Sequence, residues 1–182
     1  ADLKITGVAL SDELRLMMNS NKIWALRMLG RMDEARLLTQ ETLVLTARPE
    51  EGASWFAAIS PAYSQIALVI ADPAEALRLS RLGVQCAVKT KELMLELESR
   101  EALVAVLKKF GTTEELKLEV ANATRLAGLI KRPRVGAIMK RIQADSTPGA
   151  NMNVSPMPVE KASSAPPPVP PAQAPEARQN SA

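Results

Sequence analysis

Three ten-residue segments of this chain repeat one pattern at an almost constant interval: LGRMDEARLL at Leu29–Leu38, IADPAEALRL at Ile70–Leu79 and FGTTEELKLE at Phe110–Glu119. Each runs through an apolar residue, a small residue and two linking residues, then places acid in a helix's first turn and an apolar residue just after. The anchors Ala35, Ala76 and Leu116 are 41 and 40 residues apart. Seven residues past each anchor stands Thr42, Gly83 or Ala123, all small enough for two helices to approach closely. One such unit cannot bury its apolar face alone, so three copies constrain the chain to stacked helical hairpins with a continuous core. A plain bundle of six or seven helices is the alternative that the same pattern allows.

Local signals delimit seven helices. Ser11 can cap the first, Asp12 and Glu13 suit its dipole, and Leu14, Met17, Met18, Ile23, Trp24 and Met28 supply its apolar residues before Gly30 stops it. The second runs from near Asp33 to about Thr46, with Ala35, Leu38, Leu45, Leu37 and Val44 on its apolar side; Pro49 and Gly52 then break the chain. A third spans Ser54 to Ile70, with Ser60–Pro61 expected as a fresh cap and a first-turn proline. Asp72–Pro73 repeats that signal and opens a fourth, to about Val88. A fifth covers Glu92–Phe110 and stops at Gly111, and Thr112 with Glu115 has capping-box spacing for a sixth, to about Ile130. Pro133 begins a short seventh, to about Ala144.

Composition agrees with an all-α chain. Hydrophobic residues make up 47% of the 182, but aromatics only 3%, the bulk being Ala, Leu, Val, Ile and Met, a mix that favours helices over the aromatic-rich surfaces of pleated sheets. There is no histidine, which excludes a histidine base, a Cys–His or Ser–His–Asp nucleophile and a His-ligated metal. The single cysteine, Cys86, lies in an apolar helical run and reads as a buried, inert thiol. Carboxylate pairs such as Glu50–Glu51, Glu96–Glu98 and Glu114–Glu115 read as solvated surface, because no nucleophile, ligand set or glycine-rich phosphate loop accompanies them. The expectation is a non-enzymatic chain without cofactor or metal. With no disulfide, no secretory leader pattern in ADLKITGVALSDELRL and no run of ~20 apolar residues, the cytoplasm is the expected compartment, a mature periplasmic chain being the alternative.

The hairpin corners resemble those of the tetratricopeptide (TPR) family. Gly30, Asp33, Glu34 and Ala35 match that family's corner between paired helices, and Thr42, Gly83 and Ala123 fall where it has a close-packing position. The resemblance covers roughly residues 12–130. It departs at Thr39, Ser80 and Val120, where the family favours an aromatic, and at Ile23, Ser64 and Val104, where it favours glycine; the period also exceeds the family's ~34 residues. It implies about three antiparallel hairpins over residues 1–144 and a concave surface, made by the first helix of each, that holds a peptide or helix from a protein partner. In layout the chain is similar to the small three-repeat cytosolic chaperones of bacterial secretion systems, which implies an adaptor or chaperone-like scaffold.

From Asp145 to Ala182 the composition changes. Nine of the thirteen prolines fall there and no Leu, Ile or aromatic does. Such a segment cannot offset an ordering entropy of about 1–2 kcal/mol per residue, so a disordered tail is expected, with Pro166–Pro171 favouring polyproline II as a spacer or a ligand.

Two candidate surfaces remain. Trp55 and Phe56 are adjacent, so one helix cannot point both inward, and one of them is expected to line a partner groove or an inter-subunit contact; Trp24 and Phe110 are expected in the core. Lys131, Arg132, Arg134, Lys140 and Arg141 form a basic C-terminal surface suited to an acidic protein or, as the alternative function, to nucleic acid. A structural subunit of a larger assembly, hence a homo-oligomer, is the third possibility. No membrane contact is expected.

Overall fold

In the computed structural model, which describes residues 10–47 and 52–146, every regular element is an α-helix. They are α1 (Asp12–Met28), α2 (Met32–Thr46), α3 (Ala53–Ala67), α4 (Pro73–Thr90), α5 (Leu93–Phe110), α6 (Thr113–Ala127) and α7 (Arg134–Ser146). Their starts are chemical. Ser11 accepts the Leu14 amide, Asp72 accepts that of Glu75 at 2.8 Å ahead of Pro73, and Thr112 and Glu115 close a reciprocal capping box. Gly30 takes φ +72°, which lets α1 turn back into α2 within three residues.

Helices joined by these short links pack on each other: α1 on α2, α3 on α4, α5 on α6. The first helices then line up, α1 on α3, α3 on α5 and α5 on α7, while α4 also packs on α5 and α2 barely touches α3. The sequence repeat reappears as burial. Leu26, Ile66 and Val106, each 40 residues from the next, are all core, as are Ala35, Ala76 and Leu116. Ser20, Ser60 and Ser99 are likewise buried at equivalent places, and Ser60 Oγ bonds the Gly83 carbonyl (2.9 Å) and Ser99 Oγ (2.8 Å). The expected close approach occurs at Gly83, where an added Cβ would lie 2.7 Å from Ser64 Oγ and 3.2 Å from the Ser60 carbonyl oxygen. The positions that depart from the family pattern, Ile23, Thr39, Ser64, Ser80 and Val104, are also buried. Among the described residues no helix is long and apolar enough to cross a membrane.

Several expectations need correction. Ser60–Pro61 does not restart a helix; α3 runs through it. Ser60 uses its hydroxyl across the α4 and α5 contacts rather than as a cap, and packing on α1, α4 and α5 keeps α3 continuous through the missing proline N–H. On α1 the core face is Leu16, Ser20, Ile23 and Leu26, whereas Leu14, Met17, Met18, Trp24 and Met28 are exposed. Leu37 and Val44 on α2 are exposed as well. These helices carry apolar residues on two faces, and α1 and α2 at the end of the stack have neighbours enough to cover only one. Lys91 ends α4 in the left-handed region, a stop without glycine. Helix α7 continues to Ser146, and Lys108 Nζ holds its end by the Ala144 carbonyl (3.2 Å) and Asp145 (3.3 Å). Pro49 and the expected tail from residue 147 onward lie outside the described residues.

Candidate functional site

The row α1, α3, α5, α7 encloses a groove of about 750 Å³. Each helix contributes residues three, four or seven apart, hence one face: Asn21, Trp24 and Met28 from α1; Pro61, Gln65 and Leu68 from α3. From α5 come Glu98, Glu101, Ala102 and Ala105, and from α7 Arg134, Arg141 and Asp145. Small side chains on α5 make the floor, and Trp24 and Met28 stand exposed on one wall.

The polar side chains along this face pair across helices. Arg27 donates to Gln65 Oε1 at 2.7 Å, tying α1 to α3. Arg134 lies 3.1 Å from Glu98, and Arg141 forks onto both carboxylate oxygens of Glu101, tying α7 to α5. Burial in the wall raises the Glu98 carboxyl above the ordinary range; Arg134 and Arg141 oppose that and Glu101 adds to it. The result is an apolar floor between walls of alternating sign. Among the described residues no group of three or more carboxylates and thiols could hold a metal ion. Burial also pushes the Cys86 thiol up, away from nucleophilic reactivity.

The residues singled out from sequence fall elsewhere or divide. Trp55 is 3% exposed and part of the core, Phe56 is half-buried under Lys89 Nζ (4.5 Å to the ring centroid), and neither lines the groove. One ring in and one partly out is the division that adjacency demands. Phe110 packs on the core, below Lys109. Trp24, expected inside, is 53% exposed and is the groove's own aromatic. The basic cluster is not one surface. Arg134 and Arg141, two turns apart, share the groove face and are paired; Lys140, one residue away, is turned by about 100°. Lys131 and Arg132 stand exposed at the α6–α7 corner, beside Lys91, Leu93 and Leu129. Glu98 is not merely solvated surface, and Glu119 on α6 is buried, paired with Arg100 at 2.6 Å.

What the sequence reading missed on α1 had a signal: Leu14, Met17, Asn21, Trp24 and Met28 follow a 3-4-3-4 spacing distinct from that of the buried residues. No family profile, curated protein or solved structure matches the chain.

Proposed function

We propose that this chain is a non-enzymatic scaffold of tetratricopeptide-like build, an adaptor or chaperone-like protein, that clasps a helical segment of a protein partner along α1, α3, α5 and α7. The observation that carries the reading is the groove itself. A helix ~10 Å across takes on the order of 400 Å³ per turn, so 750 Å³ is the volume of roughly two turns. Its apolar floor and its exposed Trp24 suit an apolar stripe, and its paired charges suit flanking residues of either sign. Two turns with one aromatic anchor is a modest contact, in keeping with reversible holding.

The nucleic-acid reading has less behind it. Two of the five basic residues spend their charge on Glu98 and Glu101, and Lys140 points away from both. Phosphate contacts need several cations on one face.

The test is a photo-crosslinking side chain placed at Leu68 or Ala105, on the groove floor, and at Leu118 of α6, outside it. The expected result is capture at the first two, mapping to a partner segment with apolar residues three and four apart, and loss of capture when Arg27→Glu and Arg141→Glu are combined. Equal capture at Leu118, or a captured segment without that spacing, refutes the reading.

A further inference from the structure

The outward edge of α1 is the least explained surface of the molecule. Six large apolar residues, Leu14, Met17, Met18, Trp24, Met28 and Leu29, are between 43% and 69% exposed within a single 17-residue helix and its cap. At 100° per residue they fall within an arc of about 140°, opposite the core face of Leu16, Ile23 and Leu26. Five positions on that arc, Leu14, Met17, Asn21, Trp24 and Met28, keep the alternating spacing of a coiled-coil seam, with one polar residue at its midpoint. Asn21 is exposed, and its side-chain amide has no hydrogen-bond partner among the described residues.

The position in the stack matters as much as the pattern. Arrays of helical hairpins end in helices with a polar outer face, because the last unit has no neighbour to cover it. The other end obeys this: α7 turns Ile138 and Ile142 inward and leaves Ala137, Lys140 and Gln143 outside. Helix α1 does the reverse.

We infer that α1 is a self-association helix, and that its outward edge is covered by α1 of a second copy of this chain about a two-fold axis. The area favours that occupant. With about 200 Å² for a fully exposed large side chain, the six residues leave on the order of 650 Å² open per copy. Two copies then bury about 1,300 Å², inside the range of specific protein interfaces. An isologous contact also uses the same patch twice, so no second surface is needed. A two-fold axis through the seam's midpoint brings the two Asn21 amides together, where each satisfies the other and a lone polar pair selects a dimer over larger assemblies. The seam shares Asn21, Trp24 and Met28 with the groove wall, so a second copy and a groove-bound helix compete for that wall, whereas Leu14, Met17 and Met18 belong to the seam alone.

Sedimentation of the full chain across the micromolar range is the test. A concentration-dependent monomer–dimer equilibrium is expected. Trp24→Glu should weaken it by about 30-fold or more, and Met17→Glu combined with Trp24→Glu should leave monomer, with the helical circular dichroism unchanged and a melting midpoint that no longer rises with concentration. Leu37→Glu, on the exposed side of α2, should leave the dimer intact. Because the native Cys86 is buried, Asn21→Cys should oxidise to a covalent dimer through position 21, and Leu37→Cys should not. A chain that stays monomeric throughout overturns the inference, as does a dimer indifferent to both α1 charges. Residues 1–9 covering the edge would give the first of these outcomes. The two readings are separated with Leu14→Glu combined with Met17→Glu, which touches the seam outside the groove wall: a parent chain that is monomeric and captures a helix at Ala105 sinks only the dimer, and a parent dimer whose monomeric double variant captures nothing there sinks only the groove.

Discussion

Replacing Gly83 by alanine sets two effects of similar size against each other. Gly83 lies inside α4, where alanine gains about 1 kcal/mol from helix propensity if nothing obstructs it. Here the new Cβ meets Ser64 Oγ at 2.7 Å, a contact that real Cβ atoms avoid, and the Ser60 carbonyl at a tight 3.2 Å. Overpacking of this kind costs about 1–3 kcal/mol, so the net expectation is a loss of about 1 kcal/mol. The neighbour makes the reasoning testable. Ser64 Oγ is buried with no hydrogen-bond partner among the described residues, so Ser64→Ala removes both the obstruction and an unsatisfied hydroxyl, and should itself be neutral or stabilising. In that background Gly83→Ala meets only the 3.2 Å contact, which a shift of a few tenths of an ångström relieves, and most of the propensity gain should return. The coupling between the two substitutions should be about 1–2 kcal/mol. Urea unfolding followed at 222 nm, with midpoints compared at constant m-value, measures all four corners of the cycle. Gly83→Ala stabilising both backgrounds alike would refute the close approach of α3 and α4 at this point.

Three further expectations concern charge and caps. Asp72→Ala removes the cap of α4 and should cost about 1 kcal/mol in the same unfolding assay, with Asp72→Asn nearly neutral. Arg100→Met leaves Glu119 buried without its cation and should cost about 2–3 kcal/mol, whereas Arg78→Met at the exposed Glu75 pair should cost less than about 1; equal losses would show that burial is not what matters. For Glu98 the sign follows from burial raising its folded pKa: the native chain holds this proton longer than the unfolded chain, so the group's contribution is full below the unfolded pKa and lost as pH rises through the folded one. Glu98→Gln should therefore match the parent's melting point in acid and exceed it at neutral pH, and a variant that melts lower at neutral pH would mean that the Arg134 pair outweighs burial.

The groove was half legible in the chain. That the first helices of the three hairpins share a face was implied by the family resemblance, and α1, α3 and α5 do line one groove, with α7 added to the row. Its residues were not legible. Trp24 and Trp55 both sit on apolar helices, and hydrophobicity cannot say which of two indoles ends in the core. The five clustered cations looked like one surface because sequence proximity was counted in place of direction; a helix separates Lys140 from Arg141 by more than a quarter turn. Glu98 and Glu101, more than thirty residues away, then neutralise the two that face the groove.

The capped helix starts at Ser11, Asp72 and Thr112, the Gly30 corner and the repeat register were determined by the sequence alone, because capping, a left-handed turn and a 40-residue recurrence act within a few residues or repeat within the chain itself. The tertiary structure alone decided which apolar stripe of α1 went inward, whether α3 broke at Pro61 and which charges were cancelled. Those outcomes depend on how many neighbours each helix meets. An end helix with two apolar faces and neighbours on one side must leave the other face open, and no local signal marks which.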